Sequence, residues 1–240
     1  MGKKSCIIIG VGEGLGSALA ATFSKAGYET VITRRHRHLN ELQELAASIG
    51  SNAHAIGLDA REESEIEELF KRVEFQIAPI EVVIFNIGAN VQFGITETTS
   101  QVFRKVWEMA CFSGFLAGRE AAKYMKPRSK GTIIFTGATA SSRGGSGFAA
   151  FASAKAGLRN LAQSMARELG PKGIHVAHTV IDGLMDGNFA RHNFPNVAEL
   201  AQVGAILDPK EVANNYLALV KQENSAWTFE MDMRPWSEKW

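Results

Sequence analysis

The stretch Gly10-Val11-Gly12-Glu13-Gly14-Leu15-Gly16 follows the apolar run Ser5–Ile9 and precedes an amphipathic segment that starts at Ser17. A tight turn at the end of a strand aims backbone N–H groups, and the positive end of the next helix, at one point in space. Side chains there would block an approaching pyrophosphate. Glycine at positions 10, 12, 14 and 16 removes them. The stretch therefore predicts a strand–turn–helix unit holding a dinucleotide, with a plain tight turn as the structural alternative.

Working outward, Glu29–Thr33, Ala53–Leu58, Val82–Asn86, Thr132–Thr136 and Ile174–Ile181 read as further strands, and Ala226–Met231 as a last one. Their apolar runs show no alternation, as a sheet covered on both faces requires. Helical spacing fills the gaps over Gly14–Ala26, Leu39–Ile49, Glu62–Ile77, Ser100–Met125 and Phe148–Leu169. Asp208-Pro209-Lys210-Glu211 announces a late helix, with Asp as N-cap and Glu closing a capping box. Strand alternating with helix predicts an α/β fold, a doubly wound parallel sheet flanked by helices (a Rossmann fold), because parallel neighbours need a crossover. No linker or repeat interrupts residues 1–240, so one domain is expected. Its least regular part, Gly183–Gly204, is read as a substrate lid.

Composition narrows the partners. A chain of 240 residues with net charge +1 has no global basis for binding nucleic acid. Two cysteines, Cys6 and Cys111, cannot build a disulfide framework. No apolar stretch is long enough for a bilayer, and the run Cys6–Ile9 is too short for a signal peptide. The expectation is a cytoplasmic protein with no membrane, nucleic-acid or metal partner, acting on a small molecule. His175 and His178, three apart on one strand, point to opposite faces and do not share a metal.

The second strand ends in Thr33-Arg34-Arg35. A carboxylate there would hold the ribose 2′-OH of NAD, whereas two arginines suit a 2′-phosphate, so NADP(H) is favoured over NAD(H). Glu13, beside the phosphates, argues mildly the other way. Asp59, with Ala60 after it, follows the third strand and can accept from an adenine amino group. Asn86-Ile87-Gly88 follows the fourth and can run along the ribose. Each of these alone is equally a turn cap.

These features together resemble the short-chain dehydrogenase/reductase family over nearly the whole chain. Gly10–Gly16 is similar to its T-G-x-x-x-G-x-G motif, with Ile9 for Thr, and Asn86-Ile87-Gly88 to the end of N-N-A-G. Phe151-Ala152-Ser153-Ala154-Lys155 is similar to Y-x-x-x-K, and Asp182-Gly183 falls at the family's Pro-Gly. The resemblance implies a Tyr acid, a Ser bonding the same substrate oxygen, an Asn anchoring waters, and a Lys that assists the Tyr and holds the nicotinamide ribose. The chain departs at three of the four. Phe151 stands for Tyr, Ala138 for Ser and Ala110 for Asn, and only Lys155 remains. The enoyl-reductase branch places its Tyr seven residues before the Lys, which here is Phe148.

Asp182 is the unusual carboxylate near the expected nicotinamide and the candidate substitute, with a turn cap as its other reading. Thr139, Ser141, Ser142 and Cys111 are nearby hydroxyl and thiol candidates. Two functions follow. One is an NADP(H)-dependent oxidoreductase whose acceptor, such as an imine, needs no phenol. The other is an inactive nucleotide-binding pseudoenzyme serving as sensor or partner protein. Val102, Val106, Met109, Phe112 and Phe115 exceed what one helix face needs, so a homodimer or homotetramer is expected.

Overall fold

Along the strands, successive side chains drop into different cores. Ile7, Ile9, Val83, Phe85, Ile133 and Phe135 enter one apolar cluster, and Cys6, Ile8, Val82, Ile84 and Ile134 enter the other. That two-sided burial is why the strands read as unbroken apolar runs. The computed structural model describes residues 2–238, and of Phe189 only the backbone. Met1, Lys239 and Trp240, the ends of the unit expected over 1–240, lie outside the described residues.

The chain runs β1 (Ser5–Ile9), α1 (Leu15–Lys25), β2 (Glu29–Arg34), α2 (Leu39–Ile49), β3 (Ala53–Gly57), α3 (Glu63–Arg72), β4 (Ile80–Phe85) and α4 (Ser100–Trp107). It continues through α5 (Ser113–Met125), β5 (Gly131–Thr136), α6 (Ala149–Leu169), β6 (Ile174–Ile181), α7 (Asn188–Asn193), α8 (Val197–Gln202), α9 (Pro209–Val220) and β7 (Glu230–Met233). The seven strands form one parallel sheet in the order β3-β2-β1-β4-β5-β6-β7. Helices α3, α5 and α6 cover one face, and α1, α2 and α9 the other. The order reverses between β1 and β4, and the crevice at their C-terminal ends is where such sheets take ligands.

The long helix expected over Ser100–Met125 is continuous, but its winding widens to a π-helical turn at Glu108–Phe112, between α4 and α5. Three expectations are corrected. The last strand starts at Glu230, because Gln222 brackets Thr228 with two 2.8 Å side-chain bonds and Trp227 stacks on His175 at 4.9 Å. Pairing with β6 begins only beyond them. Asp208 does cap α9, accepting from Lys210 N at 2.8 Å, but Glu211 turns to Asn214 at 3.3 Å and closes no box. Segment 183–204 is less irregular than its composition suggests. Helices α7 and α8 fold there around Ala190, Val197, Leu200 and Ile206.

Candidate active site and dinucleotide cleft

Three glycines shape the turn after β1, each for a different reason. Gly10 has φ +93, and a Cβ there would lie 2.7 Å from Ile87. Gly16 brings α1 so close that a Cβ would sit 2.8 Å from the Val11 Cα. Gly12 faces open space, with nothing within 4 Å of where a Cβ would be, and Gly88 opposite is the same. Those two bare positions border the cleft, so its floor is backbone that a pyrophosphate can approach closely. The residues present fit a dinucleotide.

The cleft has two lobes that share Gly10, Gly12, Asn86, Ile87 and Gly88. The smaller, about 330 Å³, is lined by Thr33, Arg34, Arg35, Asp59, Ala60 and Met109, together with His38 and Arg61, which sequence reasoning missed. Arg34 is bonded to Glu41 at 2.7 Å, whereas Arg35 is exposed and makes no ion pair among the described residues. Arg61 grips Asp59 through Nε at 2.9 Å and Nη2 at 2.5 Å, and this holds the Asp59 carboxyl below the usual range. Arg61 was hidden because nothing local marks a cation four residues past a strand. Asn86 ties β4 to the turn by donating to Gly10 O at 3.0 Å.

The larger lobe, about 730 Å³, takes in Leu15, Gly16, Ala138, Thr139, Arg143, Phe148, Phe151, Lys155 and Gly183. Gly14 lies behind it, at φ +87 where the turn enters α1. Glu13 reaches across to α7, accepting a hydrogen bond from Asn188. No described helix is long and apolar enough to cross a membrane.

Phe151 and Lys155 sit one turn apart on α6, on its buried side. Lys155 is 2% exposed, and its Nζ donates to Thr136 O at 2.8 Å and Ile87 O at 2.9 Å. Burial pushes its ammonium down to about 7. Ala110 and Cys111 lie in the π-helical turn against Phe151, Ala110 fully enclosed. Burial raises the Cys111 thiol.

Ala138 presents only its methyl group, while its N–H donates to Ser141 Oγ at 3.1 Å. Ser142 turns back to Thr139 O at 3.2 Å. Asp182 is placed differently from a free acid facing the cofactor. Its neighbours Ile181 and Gly183 line the lobe, but its carboxylate accepts from Thr139 and meets Arg143 at 3.3 Å and Arg234 at 3.2 Å. Arg143, a lining residue also missed, becomes visible only once Asp182 is placed beside it.

The two strand histidines go separate ways, as their spacing requires. His175 bonds Thr228 O at 2.8 Å, and His178 Nδ1 meets Glu230 at 3.0 Å. Burial pushes His178 down to about 4 despite that carboxylate. Among the described residues no cluster of three metal-ligating side chains occurs.

Known proteins bear on this geometry. The family model described as enoyl-(acyl carrier protein) reductase matches residues 10–231. A crystal structure of a short-chain dehydrogenase from Rhodopseudomonas palustris is similar, at 46% identity and TM-score 0.82, covering 97% of this chain and 99% of that one. The 3-oxoacyl-[acyl-carrier-protein] reductase of Escherichia coli is 25% identical over 231 residues, 95% of this chain and 93% of its own. The structure of ElxO with NADP bound shares the fold at TM-score 0.86 with 20% identity, covering 98% of each chain.

Proposed function

This chain belongs to the short-chain dehydrogenase/reductase family, and from that premise we propose that it is an NADP(H)-dependent oxidoreductase whose acceptor is an imine or another substrate needing no phenolic acid. The observation that carries this reading is the two-lobed cleft, floored by Gly12 and Gly88 without side chains and cationic at its far end. A bound nicotinamide supplies the hydride. The chain's own residues bind, orient and exclude water around it.

Arg35, with its guanidinium uncommitted, is the group for a 2′-phosphate, and Arg34 is available once it leaves Glu41. ElxO, which shares the fold, holds NADP in its solved structure, in keeping with the same cofactor. Lys155 takes the ribose side of the larger lobe. A ketone reduced there would develop an alkoxide to which the Phe151 ring and the Ala138 methyl offer no hydrogen bond. Loss of one such donor typically costs about 10²–10³ in rate. A protonated imine arrives with its own positive charge and forms no alkoxide. Asp182 serves this chemistry through the two groups it holds against the lobe, Thr139 and Arg143. Segment 183–204 is the cover on that side, resting on the turn through Asn188 and Glu13.

Fluorescence titration with NADPH and NADH tests the cofactor. NADPH should bind more tightly, and Arg35→Ala should weaken it by about tenfold or more while sparing NADH. Equal losses for both would end the 2′-phosphate reading. NADPH oxidation is then followed with a cyclic imine, a simple ketone and an enone. Turnover of the imine well above the ketone is expected. Tight NADPH binding with no turnover of any acceptor would favour the pseudoenzyme, which the simultaneous loss of the Tyr, Ser and Asn also fits.

A further inference from the structure

A neutral primary amine has two N–H bonds and one lone pair. In Lys155 two backbone acceptors, Thr136 O and Ile87 O, take both donors, which leaves the lone pair directed away from them. Lys155 also lines the larger lobe, whose walls include the rings of Phe148 and Phe151. The Phe151 ring centre is 5.9 Å from Nζ and carries no hydroxyl to cap the lone pair. The titratable groups that interact electrostatically with Lys155 are the Cys111 thiol, from the π-helical turn, and His178, from β6. Among the described residues no carboxylate pairs with the amine.

We propose that Lys155 is a carbonyl-capturing nucleophile, condensing with small aldehydes or ketones that enter the lobe to form an imine. The nitrogen lone pair adds to the carbonyl carbon, and the C=O π pair moves onto oxygen. Nitrogen passes both its protons to that oxygen, which leaves as water while the C=N bond forms. Nothing is oxidised or reduced. Apolar walls at Phe148 and Phe151 hold water away and so oppose the reverse hydrolysis. Burial supplies the reactive form, since with Lys155 at about 7 roughly half is free amine at neutral pH, about a thousand-fold more than on an exposed lysine. The inference rests on the reading of this lobe as the place where an organic acceptor enters, and it applies to the chain before a dinucleotide ribose takes Lys155.

The test incubates the whole protein with benzaldehyde, and separately with butanal, in cyanoborohydride at neutral pH. Cyanoborohydride reduces the imine to a stable secondary amine that peptide mass spectrometry locates. Lys155 should carry at least about tenfold more adduct than the exposed Lys25, Lys71 and Lys172. Labelling no greater than theirs overturns the proposal, and this wild-type result decides by itself. Phe151→Tyr supplies a phenol to cap the lone pair and should lower the Lys155 adduct about fivefold; a folded variant labelled as fully as the wild type also overturns it. NADPH binding is read on the same preparation by fluorescence. Binding without excess label at Lys155 overturns the nucleophile alone, and label without binding overturns the dinucleotide reading alone.

Discussion

At the residue scale, single side chains here depend on what surrounds them more than on their own chemistry. His178 is fully buried between Glu230, which favours its charged form, and Lys155 and Arg159, which oppose it, and desolvation pushes it down to about 4. An unfolded histidine binds its proton near 6.5, so in the window between these values only the unfolded chain is protonated. Stability should therefore be full above 6.5 and fall as pH drops toward 4, by at most about 3 kcal/mol from this group. Glu230, held low chiefly by Arg159, adds a loss of the same sign at still lower pH. Urea denaturation across this range checks the slope, and a His178→Gln variant that kept all of it would assign the effect elsewhere. Ala89 is a second case. It sits at φ +70 beside the smaller lobe, in a left-handed conformation that costs an L-residue about 1 kcal/mol or more. Ala89→Gly should raise unfolding free energy by about 0.5–1 kcal/mol, and an unchanged or lower melting temperature would contradict this.

At the element scale, the site is assembled from strand ends and one close helix contact. Gly16 is that contact, because a Cβ would meet the Val11 Cα at 2.8 Å, and backbone cannot yield as a rotamer does. Gly16→Ala gains about 1 kcal/mol of helix propensity, but overpacking against backbone costs typically about 1–3 kcal/mol. The expected net is a modest loss in melting temperature together with weaker NADPH binding, as α1 is pushed off the turn. A stabilised variant with unchanged affinity would show that the approach is slack. The π-helical turn at Glu108–Phe112 is a feature the helical spacing of Ser100–Met125 did not reveal. Apolar residues at steps of three and four tolerate one wide turn, so the pattern looks continuous while Ala110 and Cys111 are brought against Phe151. Segment 183–204 shows the opposite. Its polar residues hid two short helices whose small apolar cluster becomes coherent only when they pack on each other.

At the scale of the whole molecule, one apolar strip is left outside the two cores. Phe103, Trp107 and Phe115 along α4 and α5 are each 40–41% exposed, and Trp107 and Phe115 both pack on Phe112. Val106, expected on the same strip, instead faces inward against the Phe151 cluster. A second copy covering these rings is the expected outcome, as dimer or tetramer, and a monodisperse 26.1 kDa species by light scattering would refute it. The sheet, its helical layers and the glycine turn were legible in the residues alone, because each depends on local signals. These are unbroken apolar runs, helical spacing, and glycine where a Cβ would collide or block a ligand. That Phe151, Ala138 and Ala110 carry no hydroxyl or amide was equally legible, since it is a fact of sequence. Only the tertiary structure decided what the remaining groups can do. It set Asp182 among Thr139, Arg143 and Arg234, brought Arg61 onto Asp59, and enclosed Lys155 between two backbone carbonyls. Charge and reactivity follow from burial and from partners distant along the chain, and those exist only once the fold has closed.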